Sequence, residues 1–441
     1  MSLFKTLDLS PILFSLFISE LSDELSKHGK HGIQLFPDLL EIILLMFADD
    51  VVLVSDTIPG LQNQLNILYT FSEHAGLKIN LDKTNIVVFR RGGRLARNEK
   101  WYLNDEPITT VNTYKYLGVI FSSTSKMRNC VNDLALRGKR ALMEVITNLS
   151  TIGVIDPKVF FKIFDTQIQP ILLYGAEIWG MHKFDQLERV HLIACKRFLN
   201  VSPQTPTAIV YGECGRYPLF INAMCKTLKY WIKLIRMNED RIPLKVYKMQ
   251  MYYDNCGYTT YASYIRNILF SHGFGYVWMS QTVGDKVYFI NAFKSVAVNM
   301  FFQSWTSILD NSSRYSTYRK FKSLLEPEKY LSCIVDKRFR KILIKFRCGL
   351  LRLKHNEGRW QNINVNERIC PLCNLDIEDE YHFLFICTVY EELRIKYIPP
   401  VYYQNPNYHK MKCLLTADNE NLLRKVSSYV YHAFNLREAK L

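Results

Sequence analysis

The sequence predicts an α/β first quarter, a mainly helical remainder and a small zinc-binding module near the C-terminus. Three observations carry this. Short apolar runs bounded by turn residues fill the first 125 positions, interleaved with stretches whose apolar residues recur every three to four positions. From about residue 126 the helical period takes over. Cys370-x2-Cys373-x8-His382-x4-Cys387 then has the spacing of a tetrahedral Zn²⁺ shell.

Ser10-Pro11 reads as a helix start, with Leu13, Phe14, Phe17, Ile18 and Leu21 on one face and Gly29 and Gly32 beyond the end. Leu39 to Leu45 reads as a buried strand and Val51 to Val54 as a second, with Phe47-Ala48-Asp49-Asp50 at the hairpin tip. Thr57 caps a further helix with Pro59 in its first turn, and Gly76 stops it. A strand from Ile86 to Phe89 follows, then a basic loop of Arg90, Arg91, Arg94 and Arg97. Residues 101–121 are expected to form one further hairpin. Helices are predicted over 126–150, from Asp156-Pro157 toward Leu173, and over most of 185–240.

The chain has 441 residues, 48% of them apolar, which excludes a mostly disordered polymer. No apolar run approaches the roughly 20 residues of a membrane span. The 11 cysteines are an odd number scattered over a long chain, unlike a disulfide scaffold, so a reducing compartment is expected. Lys and Arg number 56 against 41 Asp and Glu, a net charge of +15, with 27 Tyr and 26 Phe. Cations for phosphates and ring faces for unstacked bases suit nucleic acid. The segment 319–354 holds twelve Lys and Arg against Glu326, Glu328 and Asp336. It reads as a phosphate-contacting surface through Lys337, Arg338, Arg340 and Lys341, or as a solvated helix face.

Adjacent aspartates at a hairpin tip repel unless a cation joins them, and hard carboxylate oxygens suit Mg²⁺. Around Asp49 and Asp50 stand Leu9-Ser10-Pro11, then Gly76-Leu77-Lys78-Ile79-Asn80, Lys83-Thr84 and Tyr116-Leu117-Gly118-Val119. In order and spacing these resemble the palm of reverse transcriptases from non-LTR retrotransposons, especially the jockey-like elements. The resemblance implies Mg²⁺ at Asp49 and Asp50 with Asp49 the direct ligand, Lys83 beside the incoming nucleotide, and a primer grip at Leu117-Gly118. It implies an RNA template and a DNA primer as partners. The basic loop is read separately as offering Arg90 and Arg91 as further nucleic-acid contacts. Such palms also use an aspartate on a strand well upstream. Before Asp49 this sequence offers only Asp8, Asp23 and Asp38, and Lys5-Thr6 stands where the family has Gln-Gly. A 5′-truncated element copy or an internal-start gene model is therefore expected.

The ligand set Cys370, Cys373, His382 and Cys387 leaves no place for water, so its Zn²⁺ would be structural. Its wording, from Cys370-Pro371-Leu372-Cys373 to Tyr381-His382-Phe383, resembles the C-terminal zinc-binding segment of the same elements. The expected organisation is a partial palm over 1–125, a thumb-like helical region over 126–240, a helical connector over 241–330, a basic segment and zinc module over 331–400, and a C-terminal tail over 401–441. The expected function is a fragment of an RNA-directed DNA polymerase without full catalytic competence. The alternative is an inactive nucleic-acid-binding zinc protein derived from such an element. A nuclear or cytoplasmic, unsecreted protein is expected.

Overall fold

The fold is taken from a computed structural model, which describes residues 10–441 apart from 29–30, 36–39, 91, 94, 95, 97, 152–154 and 335. Asp8, Asp38, Arg91, Arg94 and Arg97 thus lie outside the described residues. The chain divides into two compact units, Met1–Cys130 with Trp231–Asn267, and Val131–Tyr230 with Ile268–Leu441. No described helix is long and apolar enough to cross a membrane.

The first unit opens with α1 (Ser10–Lys27), whose Ile18, Leu21 and Leu25 are buried. Strands β1 (Ile33–Leu35) and β2 (Leu40–Ile42) pair antiparallel, as do β3 (Leu44–Phe47) and β4 (Asp50–Leu53). Helix α2 (Ile58–His74) begins where expected. The Thr57 side chain accepts from the Gly60 amide at 3.1 Å, and Pro59 fills the first turn. It ends at Gly76, which adopts φ +62°, the left-handed conformation that glycine takes without penalty. Buried Gln64 donates to the carbonyls of His31 and Val54, tying α2 to the strands. Leu65, Ile86, Trp101, Leu103 and Ile108 form the adjoining core.

Three expectations need correction here. The apolar run at Leu39–Leu45 is not one buried strand but parts of β2 and β3. The β3–β4 ladder has no third strand among the described residues, so Leu45, Met46 and Phe47 face water. The strand expected over Ile86–Phe89 is only β5 (Asn85–Ile86). Its parallel partner, β8 (Thr109–Thr110), is two residues long, so the ladder stops at Ile86; beyond it the Arg90 amide donates to the Ser123 carbonyl at 2.8 Å, and Phe89 is exposed. Residues 101–121 form two hairpins. The first joins β6 (Tyr102–Leu103) to β7 (Glu106–Pro107); the second joins β9 (Thr113–Tyr116) to β10 (Val119–Ser122). Both turn through two positive-φ residues, Asn104-Asp105 and Leu117-Gly118, whose twist matches that of paired strands.

The rest is helical. Helix α3 (Arg128–Ser150) is followed by α4 (Pro157–Ile163), capped by Asp156, a π-helical turn at Phe164–Ile168, α5 (Gln169–Leu172) and α6 (Ala176–Trp179). A Cβ on Gly138 would lie 2.3 Å from the Leu172 side chain, so glycine there lets α3 and α5 pack closely. Next come α7 (Asp185–Leu199), α8 (Thr207–Cys214), α9 (Leu219–Ile235), α10 (Ile242–Asn255), α11 (Tyr261–Ser271), α12 (Gly275–Ser280) and α13 (Lys286–Asp310). The C-terminal part holds α14 (Tyr318–Phe321), α15 (Tyr330–Cys333), α16 (Lys337–Arg347), α17 (Lys354–Trp360), α18 (Glu391–Tyr397), α19 (Pro400–Tyr403), α20 (Tyr408–Leu415) and α21 (Glu420–Lys440). Residues 401–441, expected as a tail, are three helices, and α21 packs on α15, α16, α18 and α20 through buried Leu423, Val426, Tyr429 and Val430.

Candidate functional site

In the first unit, Phe47 and Asp50 are the last paired residues of β3 and β4, leaving Ala48-Asp49 as the turn. Ala48 takes φ 54°, a strained conformation for a residue with a Cβ. Asp49 and Asp50 are both exposed. The Tyr116 phenol is pushed above its ordinary value by burial and by the Asp50 carboxylate, so the β9–β10 hairpin and the aspartate tip lie within electrostatic reach. The Tyr114 hydroxyl donates to the Lys83 carbonyl at 3.2 Å. Asp50, the loop carrying Lys83 and the Leu117-Gly118 hairpin are thus brought into one neighbourhood. Among the described residues no third carboxylate joins Asp49 and Asp50 in a group able to hold a cation. Two hard carboxylates at an open tip suit Mg²⁺, which keeps much of its shell as water or phosphate oxygen. Arg90 is part-buried and pairs with Glu99 at 3.4 Å, so its charge is already engaged.

In the second unit the ligand atoms of Cys370, Cys373, His382 and Cys387 all lie within 4.8 Å of one another. The Cys370 thiol is held down to about 3, chiefly by its hydrogen bond with Cys387, while Cys387 is pushed up by the same contact. Two thiolates so close repel, and a cation at the same point would relieve that repulsion. His382 is buried. Its Nε2 lies 3.3 Å from the Cys373 sulfur, and its Nδ1 has no hydrogen-bond partner among the described residues. Three thiols and an imidazole converging on a mostly dry point fit Zn²⁺ by donor type and number.

The surroundings fix this set. Ile369 and Ile377 bridge antiparallel, and the Cys370 amide donates to the Asp376 carbonyl at 2.9 Å. The Asp379 carboxylate accepts from the His382 amide at 2.8 Å, opening a π-helical turn at His382–Ile386. Arg394 of α18 donates to the carbonyls of Leu384 and Cys387. From α21, the Tyr429 hydroxyl donates to the Phe383 carbonyl, and Arg437 forks onto buried Glu378 at 2.7 and 2.8 Å. Sequence reasoning missed Glu378, Tyr429 and Arg437. Glu378 and Arg437 stand 59 positions apart, with no local pattern linking them. The pair His409 and Cys413, one turn apart on α20, is exposed and separate from the four.

The basic segment needs correction. Arg340 is buried, donates to the Leu331 carbonyl and lies over the Phe198 ring, so it is no surface cation. Arg347 is fully buried against Glu213 and Glu328, and Lys322 is buried with Glu328. Arg338 is exposed but paired with Asp336. Lys337 and Lys341 are exposed as expected.

Comparison with known proteins agrees with the first unit. Residues 7–121 match the family described as "Reverse transcriptase (RNA-dependent DNA polymerase)". The chain is related to the reverse transcriptases of non-LTR retrotransposons. It is 30% identical over 179 residues to the Retrovirus-related Pol polyprotein from type-1 retrotransposable element R2 of Popillia japonica, covering 39% of this chain and 28% of that protein. It is 26% identical over 216 residues to the Pol polyprotein from type-2 retrotransposable element R2DM of Drosophila melanogaster, covering 46% and 19%. To the RNA-directed DNA polymerase from mobile element jockey of the same fly it is 23% identical over 202 residues, covering 44% and 21%. The chain matches only 19% to 28% of the length of these relatives.

Proposed function

We propose that this chain is a portion of an RNA-directed DNA polymerase of a non-LTR retrotransposon that binds RNA template and DNA primer without catalysing nucleotidyl transfer by itself. In this reading Asp49 and Asp50 are the carboxylates for Mg²⁺, Lys83 faces the incoming nucleotide, and Leu117-Gly118 contacts the primer. A divalent cation there would neutralise charge as a primer 3′-hydroxyl attacks a nucleotide α-phosphate. The residues' own part is to hold that charge at the open tip and to keep the β9–β10 hairpin beside it. Cys370, Cys373, His382 and Cys387 would hold a structural Zn²⁺ that fixes the C-terminal module.

The observation that carries the loss of catalysis is the pair of exposed aspartates with no third carboxylate beside them among the described residues. Clamping both the attacking and leaving oxygens takes two ions, and two carboxylates on one turn are a thin cage for them. The purified chain, given an oligo(dT) primer on poly(A) with Mg²⁺, should extend it no better than Asp49→Ala. Extension that depends on Mg²⁺ and disappears in Asp49→Ala would overturn this reading.

A further inference from the structure

Helix α20 carries a second pair of metal-type donors, apart from the four-donor centre. His409 and Cys413 stand four positions apart, about one turn of helix, so their side chains lie on the same face. The Cys413 sulfur is 3.5 Å from His409 Nε2. That separation suits a chelate. A Zn²⁺ about 2.3 Å from sulfur and about 2.05 Å from nitrogen, at a tetrahedral angle, holds the two donors about 3.5 Å apart. Inside the four-donor centre the same kind of pair, Cys373 and His382, stands 3.3 Å apart.

The turn that carries the pair is already formed. Asn407 caps it, its side chain accepting from the Lys410 amide at 2.8 Å. Met411, Leu414 and Leu415 bury the other side of the helix. The Tyr408 ring packs on Tyr381 with centroids 4.7 Å apart, and the Lys320 ammonium sits 3.2 Å from the Tyr408 centroid. With the backbone held, taking up a cation costs little beyond the rotamer freedom of two side chains. Both donors are exposed, and neither side chain has another hydrogen-bond partner among the described residues. No third His, Cys or carboxylate among the described residues stands close enough to close the shell. Two protein donors leave two positions of a tetrahedral ion open, so this ion is held more weakly than one in the closed centre.

We propose that His409 Nε2 and Cys413 Sγ chelate a second Zn²⁺ whose remaining two positions are filled by water. Cys413 gives its thiol proton to solvent as the sulfur–zinc bond forms, and His409 binds as the neutral imidazole. The site draws on no palm residue and on no nucleic acid.

The test uses the full chain carrying Zn²⁺ at Cys370, Cys373, His382 and Cys387. It is titrated with Zn²⁺ against a colorimetric chelator, and separately with Co²⁺, whose bond to a thiolate gives a near-ultraviolet charge-transfer band. Wild type should take up one further Zn²⁺ per chain, removed by dialysis that leaves the first ion in place, and should show the Co²⁺ band. Cys413→Ser and His409→Ala should each weaken this uptake at least about 10-fold, since even changes behind a metal ligand cost roughly 10- to 100-fold. Both variants should keep the first Zn²⁺, which separates loss of a ligand from loss of the fold. His409→Cys restores two soft donors at the same spacing and should retain uptake. Cys256→Ser, which removes the other exposed thiol, should change nothing. Absence of a second ion at millimolar Zn²⁺ would overturn the proposal, as would uptake that survives both single variants or that disappears in Cys256→Ser. Uptake of half an ion per chain, with the mass doubling in light scattering, would put the pair of a second copy in place of the two waters and overturn the open shell.

Discussion

At the residue scale, Glu213 decides most. It is fully buried at the end of α8 and accepts from Arg347 at 3.1 and 3.3 Å, from Tyr318 at 3.0 Å and from Tyr330. Burial pushes its carboxyl up, but Arg347 and Lys322 pull it further down, so it stays below its ordinary range. Glu213→Gln would leave the buried Arg347 guanidinium with Glu328 as its carboxylate partner and two charge-assisted hydrogen bonds weakened, which costs about 1–3 kcal/mol. Urea unfolding of the variant against wild type measures this. The sign of the pH effect follows from the depressed carboxyl. Its contribution is fully present above the unfolded value near 4.5 and is lost as pH falls through the lower folded value. The melting temperature of wild type should therefore drop below pH 4.5. Glu213→Leu/Arg347→Met should lose the part of that drop that this pair supplies. An identical acid profile in both proteins would remove Glu213 from the explanation.

At the scale of elements, the metal centre is held from outside its own loop. The sequence suggests few apolar residues for a core over 360–395. Phe383, Leu384, Phe385 and Tyr390 are nonetheless buried, because α18 and α21 supply the other wall. Metal binding and local folding should still be linked, since the four donors come together only in this arrangement. Wild type should contain one Zn²⁺ per chain. Cys373→Ser should release it and open residues 360–395 to protease. Arg437→Gln, with no ligand changed, should weaken zinc retention against a chelator by leaving Glu378 buried without its charge partner. Metal analysis of the three proteins, with proteolysis mapped by mass spectrometry, checks this. Full zinc retention in Cys373→Ser, or its loss in Cys413→Ser instead, would move the site.

At the scale of the whole molecule, the proposed nucleic-acid reading would draw on the charge of +15, and burial decides which charges could count. Arg340 and Arg347 lie inside the second unit, so they neutralise no phosphate. Arg340→Gln should lower stability yet leave the salt slope on single-stranded RNA unchanged, whereas Lys337→Gln should make it shallower by about 0.7. Binding measured between 50 and 200 mM salt distinguishes them. A shallower slope for Arg340→Gln would place that side chain at the surface.

The sequence by itself determined the local parts. Ser10-Pro11, Thr57 with Pro59, and Gly76 mark the ends of α1 and α2 because caps and stops act within a few residues. The Asp49-Asp50 tip and the Cys-x2-Cys, His and Cys spacing were legible for the same reason, since a turn sets what its neighbours can reach. Tertiary structure decided which apolar runs are covered and which charges are spent. Leu45, read as the end of a buried strand, faces water, because a strand is buried only when something else packs on it. Arg347 reads as a surface cation yet is spent on Glu213, 134 positions away. Ring packing was invisible for the same reason. Phe339, Tyr397, Tyr431 and His432 come from three helices, and only their packing sets Phe339 edge-on to Tyr431 and His432 parallel to Tyr397. Burial and charge pairing are properties of the folded assembly of elements, and a local pattern of residues does not contain them.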